Sequence, residues 1–221
     1  MLFRSDSFKD RDGLWTAYMT NVMVTAYNTR LVKKDEAPRN LDDLLKPRWK
    51  NKLVMDSQSY VWFSTIMQHL GEEAGLRFMK RLNEQNLHHS RGRRLMTQLL
   101  AAGEHDLTVE TNLNSVLTLS RQGAPLWFAP LQPYFLSPSL VFMSANAPHP
   151  FAGALFTDYL LSEEGQRIIV TTNRMPAHAK VKSPESQLLE GQDVRMPDIF
   201  DIGRRYQAIG NRYREIFGGA R

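Results

Sequence analysis

The 221-residue chain contains no cysteine. Disulfides, thiolate metal centres and cysteine nucleophiles are thereby excluded, and the absence is compatible with an oxidising compartment without placing the chain in one. No window of 18 apolar residues occurs, so no transmembrane helix is expected. The first twenty residues carry Arg4, Asp6, Lys9, Asp10, Arg11 and Asp12 where a signal peptide needs an apolar run. A Gly-rich phosphate loop, a GxSxG elbow and an HExxH pair are also missing. The six histidines are scattered apart from His88-His89, and adjacent helical positions point apart. Neither an enzyme nor a cofactor is expected.

What is present is a mixed, mildly basic chain. Its 28 basic residues exceed its 23 acidic ones to give a net charge of +5, a bias towards anionic partners rather than a polybasic tail. Nucleic acid is not expected, because the basic cluster lacks aromatic interleaving and a recognised binding module. The length suits one large domain or two small ones, with roughly 70 to 75% of the unfolded surface buried.

Strand and helix patterns alternate along the chain. Residues 15–28 bring together Trp15, Tyr18, Val22, Val24 and Tyr27, as a strand requires. Lys52 to Met55 reads as a short buried strand. After the polar turn at Asp56-Ser57-Gln58-Ser59 come helices over Tyr60 to Leu70 and Gly71 to Leu82. A third helix, Arg94 to Ala102, stops at Gly103, and a strand is expected at His105 to Val109. Further strands are read at Leu126 to Ala129 and Leu140 to Met143. A helix pair follows over 151–170, then a loop-rich stretch over 180–198 and a closing helix over Ile202 to Phe217. Such alternation implies an α/β fold with a mostly parallel sheet flanked by helices.

The segment from Phe151 to Pro176 is the most distinctive. Leu155, Phe156, Tyr159 and Leu160 recur at helical spacing as a packing face, and Ser162 can cap a second short helix carrying Ile168, Ile169 and Val170. With His149-Pro150 at its head, the segment resembles a motif of the extracellular (periplasmic) solute-binding proteins of ABC importers. Other matching pieces stand upstream in the expected order: Asp12-Gly13-Leu14-Trp15, Tyr27-Asn28-Thr29, Ala37-Pro38, Asp42 to Lys50, Gly103-Glu104 and Gly123-Ala124-Pro125. The similarity is strongest to the ferric-iron-type two-lobed class.

That resemblance implies a periplasmic-binding-protein type II fold of two lobes. Residues 1–28 would be a lobe 1 remnant and crossing strand, 29–125 lobe 2, and 126–221 the return to lobe 1. Relatives carry a longer stretch before Asp12-Gly13-Leu14-Trp15, so lobe 1 is expected to be incomplete and to expose apolar surface and sheet edges. It further implies a periplasmic monomer that captures a small polar or anionic solute in an interlobe cleft and delivers it to a membrane permease. A truncated binding protein without uptake activity, and the ligand-sensing domain of a regulator, are the alternatives.

Ligands of open α/β sheets bind beyond the carboxyl ends of strands, at helix N-termini. Three segments fit. Ser57, Gln58 and Ser59 precede a helix whose free N–H groups favour an anion, with Ser57 and Ser59 as caps; in the relatives this turn holds phosphate or carbonate. Arg91 and Arg93 flank Gly92 before another helix, and guanidinium forks suit carboxylate or phosphate. Asn112 stands where ferric-iron relatives carry an iron-binding tyrosine, and its neutral amide suits a polar organic ligand or an anion better than Fe³⁺. Glu110 reads as a carboxylate supplied to the site, as a helix cap or as a solvent-facing group, with Asn114 as a further hydrogen-bonding group. By resemblance Tyr18, Thr20 and Asn21 lie near the hinge, whereas Trp62 fits the core and His149 a turn. No metal ligand is assigned.

Overall fold

The structure, a computed structural model, describes residues 8–218. The chain forms two compact units. One comprises the chain up to Val22 together with Leu136–Gln192; the other comprises Met23–Phe135 and the chain from Asp193 onward. Strand β1 (Trp15–Asn28) and strand β6 (Tyr134–Phe142) each run through both units.

In the second unit the strands β2 (Leu53–Asp56), β3 (His88–Ser90) and β4 (Leu107–Asn112) form the order β3-β2-β4, with β2 parallel to both neighbours. The later half of β1 then pairs antiparallel with β4 and with β5 (Leu126–Phe128). Two-residue β8 (Val194–Arg195) runs parallel to Tyr134 and Phe135. The α/β expectation holds, with parallel ladders at β2 and antiparallel ones added by β1.

Helices α1 (Tyr60–Leu70), α2 (Glu72–Asn83), α3 (Arg93–Ala102) and α4 (Leu113–Arg121) belong to this unit, as does α8 (Ile199–Phe217). Trp62, Phe63, Ile66 and Met67 are buried at helical spacing on α1, and Phe78, Met79 and Leu82 on α2, in one core with Trp49 and Leu53. Each such side chain contributes about 1.5–3 kcal/mol through burial. Gly103 ends α3 in the left-handed region, φ 91°, where its N–H satisfies the carbonyls of Leu99 and Leu100.

The sequence reading grouped all of 126–221 with lobe 1, but α8 packs in the unit of α1 and α2. Ile202, Ile209, Tyr213 and Phe217 recur every four or seven residues and bury in the same core. Tyr213 donates to the Asp56 carbonyl oxygen at 2.7 Å and meets Tyr60 and Phe63 edge-on. Among the elements not anticipated are β3, a three-residue strand with no apolar alternation, and α4, together with two-residue β8 inside the stretch read as loop. Strand β4 also starts and ends later than expected, because polar Glu110 and Thr111 remain inside the sheet.

The first unit holds the early half of β1, paired antiparallel with β7 (Met175–Pro176), and helices α5 (Pro150–Leu161), α6 (Glu163–Thr171) and α7 (Pro184–Leu188). Its motif has a direct physical basis. Ser162 caps α6, accepting from the Gly165 N–H at 3.2 Å. A Cβ on Gly165 would lie 2.2 Å from the Tyr159 carbonyl oxygen, so only glycine fits there. Buried Gln166 donates to the carbonyls of Tyr18 and Leu160, both at 2.8 Å, and accepts from the His178 N–H at 3.0 Å. The expected packing face of α5 is not formed: none of its residues is buried, and Phe151, Leu155 and Phe156 are 89%, 72% and 61% exposed. Apolar spacing records that a face exists and does not by itself bury it.

Candidate functional site

Parallel pairing brings the carboxyl ends of β2, β3 and β4 to one edge of the second unit. Asp56 ends β2 level with Ser90 at the end of β3, and the Ser57 N–H donates to the Ser90 carbonyl at 2.9 Å. The chain turns from these ends directly into α1, α3 and α4, whose N-caps are Ser59, Gly92 and Asn112. The segments carrying Ser57, Gln58, Ser59, Arg91, Arg93 and Asn112 therefore meet at this edge.

Capping differs from that expectation. None of these three helices has a side-chain cap, although Ser162, Ser183 and Asp198 cap α6, α7 and α8 elsewhere. Ser59 stands at the N-cap of α1, but its buried hydroxyl is bonded to Glu110 Oε1. The Tyr60 N–H that opens α1 is taken by the Gln58 carbonyl at 2.7 Å, whereas the first-turn N–H groups of α3 and α4 keep their capacity for an external acceptor. Gln58 is exposed, and its N–H donates to Asp56 Oδ1 at 3.0 Å.

Glu110 is neither a cap nor solvent-facing. It is 0% exposed, and Arg93 Nε donates to both its oxygens, at 2.8 and 3.1 Å. Burial opposes the charge on Arg93, yet the Glu110 carboxylate outweighs it, so the guanidinium's pKa is raised. Among the described residues, its two terminal nitrogens make no further hydrogen bond. Arg91 and Arg94 are exposed. The phenol of Tyr213, bonded to Asp56, has its pKa pushed up by burial and then by the negative charges of Glu110 and Asp56.

The hydroxyls of Thr97 on α3 and Thr111 on β4 share a hydrogen bond of 2.7 Å. Asn114, in the first turn of α4, has a buried Oδ1 with no partner among the described residues. Sequence reasoning missed the roles of Glu110, Thr97 and Tyr213. Only Glu110 left a signal, a single carboxylate among the apolar and β-branched residues of β4, downstream of an arginine-rich turn.

Tyr18, Thr20 and Asn21 lie in the first unit on β1. Thr20 is fully buried and donates to the Asn21 carbonyl at 3.3 Å, while the Tyr18 carbonyl receives Gln166. Trp62 is buried in the core of the second unit, as expected. A groove of about 430 Å³ lies at the opposite end of α1, lined by Asn40, Asp42, His69, Arg77 and Arg81 among others; it gathers none of the candidate residues. Among the described residues no group of three His, Cys, Asp or Glu could hold a metal ion, and no helix is long and apolar enough to cross a membrane.

Solved structures resemble this fold closely. The apo ferric ion-binding protein A of Pasteurella haemolytica shares 20% identity at a TM-score of 0.81, over 98% of this chain and 73% of its own. The periplasmic binding protein AfuA of Actinobacillus pleuropneumoniae, with exogenous fructose-6-phosphate bound, shares 21% identity at 0.81, over 96% of this chain and 71% of its own. A ferric binding protein from Campylobacter jejuni shares 20% at 0.80, over 96% and 73%. No curated protein matches the sequence. The family described as bacterial extracellular solute-binding protein matches residues 2–202. These are binding proteins rather than enzymes, and with a match across most of its length the chain belongs to the bacterial extracellular solute-binding proteins, with the type II periplasmic-binding-protein fold.

Proposed function

We propose that this protein is the periplasmic solute-binding component of an ABC importer, holding a small polar or anionic solute at the carboxyl ends of β2, β3 and β4 and presenting it to a membrane permease. The observation that carries the reading is the convergence of three uncapped helix N-termini with Arg91 and Arg93. Each N-terminus favours negative charge by about 0.3–1 kcal/mol, rising to about 2 in partly buried geometry. Arg93 adds a guanidinium edge already fixed by Glu110. Ser57, Gln58 and Asn112 supply polar contacts around them.

Of the ligands named for the similar structures, ferric ion and fructose-6-phosphate, the first is the poorer match to these groups. Asn112 offers a neutral amide where a hard trivalent cation calls for anionic oxygen. The solute is bound without being transformed, and affinity for one conformation shifts the population towards it.

A thermal-shift screen of the full chain tests the reading. The panel is inorganic phosphate, fructose-6-phosphate, phosphonates, organic acids, thiamine, polyamines, and Fe³⁺ with carbonate. A hydroxyl-rich or singly charged solute of the panel, such as an organic acid, is expected to raise the melting temperature saturably, corresponding to about 2.7 kcal/mol at a hundredfold excess over Kd. Absence of any shift across the panel refutes it.

A further inference from the structure

We propose that Glu110 sets the specificity of this site, confining it to polar solutes that carry at most one negative charge. The inference rests on the reading that this edge of the second unit holds the solute, and it concerns a residue that need not touch the solute at all.

The basis is the charge balance around three strand ends. Arg91 and Arg93 bring two positive charges to the turn after β3, and buried Asp56 and Glu110 bring two negative charges from the ends of β2 and β4. Formally these cancel. Arg94 adds a cation, but it and Arg91 are both exposed and screened by water. Arg93 is the half-buried cation, and Glu110 takes both its Nε hydrogen bonds and its charge. The bond between Glu110 and the Ser59 hydroxyl also withdraws that hydroxyl from a ligand.

What remains to attract an anion is mainly the three helix N-termini. Each is equivalent to about half a unit charge, so together they offset roughly one to one and a half negative charges. A dianion would bring a further charge close to two carboxylates shielded from water, where repulsion is weakly screened. A monoanion or a hydroxyl-rich neutral solute faces no such mismatch. Arg93 meanwhile keeps its terminal nitrogens for one acceptor, in a direction fixed by its carboxylate partner.

Glu110→Gln is nearly isosteric and retains an acceptor for Arg93, and Arg93→Met removes the cation. The double variant Glu110→Gln with Arg93→Met restores the net charge of the starting chain. The probes are methyl phosphate, largely a dianion at pH 8, and dimethyl phosphate, a monoanion of similar chemistry. Both are titrated calorimetrically at low salt, with melting curves to verify that each variant is folded.

The unaltered chain is expected to favour dimethyl phosphate. Glu110→Gln should shift the preference at least about tenfold towards methyl phosphate. Arg93→Met should shift it the other way, and the double variant should return towards the starting ratio even if Arg93→Met alone does not fold. Opposite shifts from the two single changes cannot arise from a purely structural role, which would weaken both probes together. Binding of both probes with an unchanged ratio in Glu110→Gln overturns the role of Glu110 and leaves the solute site standing. Binding of neither probe to any variant overturns the solute-site reading, and this proposal with it.

Discussion

The two units are held together by different means. The second unit is built around a continuous apolar core in which Trp49, Leu53, Phe63, Ile66, Met79 and Tyr213 are almost wholly buried by packing among α1, α2, α8 and the sheet. In the first unit the apolar side chains of Leu140, Phe142, Met143, Phe151, Leu155, Phe156 and Tyr159 are exposed. Its buried apolar side chains, Phe8, Val22, Leu136, Ile169, Met175 and Leu189 among them, are joined by close backbone approach at Gly165 and by the hydrogen bonds of Gln166. Similar apolar content can therefore carry very different energetic weight. Removal of a side chain from water stabilises a fold; periodic spacing by itself does not.

The contrast predicts a graded series of substitutions. The largest effect is expected from Phe63→Ala, which opens a cavity between α1 and α8 and should destabilise the second unit by about 3–5 kcal/mol, read as a lower midpoint in urea unfolding. A loss below about 1 kcal/mol would mean that this core is not packed as described. Next comes Gly165→Ala, which forces a Cβ onto the Tyr159 carbonyl and should cost about 1–3 kcal/mol, seen as faster hydrogen exchange across α5 and α6. Unchanged exchange would deny the backbone contact its role. Smallest is Phe151→Ala, expected to change stability by no more than about 0.5 kcal/mol because the ring is already in water. A loss as large as that of Phe63→Ala would erase the comparison, showing that α5 is covered in solution.

Much of the architecture was legible in the chain. Helices α1, α2, α3 and α8 follow from apolar periodicity with clear stops, and β1 from its clustered aromatic and β-branched residues. The family motif was legible as a string before its cause was visible: Ser162 caps, Gly165 permits approach and Gln166 satisfies three backbone groups. Local rules did less well where a residue's partner is distant. Ser59 carries the signature of a helix cap, but an acceptor 51 residues away holds its hydroxyl. Glu110 read equally as a site carboxylate, a cap or a solvent-facing group, and its partners Arg93 and Ser59 stand 17 and 51 residues away.

The amino-acid sequence alone determined the family, the alternation of strands and helices, and the short segments that reach the strand ends, because capping, periodicity and turn chemistry act within a few residues. Tertiary structure alone decided which apolar faces are buried, that α8 stands with α1 and α2, and that Glu110 neutralises Arg93. Each of these depends on groups far apart in the chain being held within a few ångströms, and the energies of burial and ion pairing are fixed only once that approach has been made.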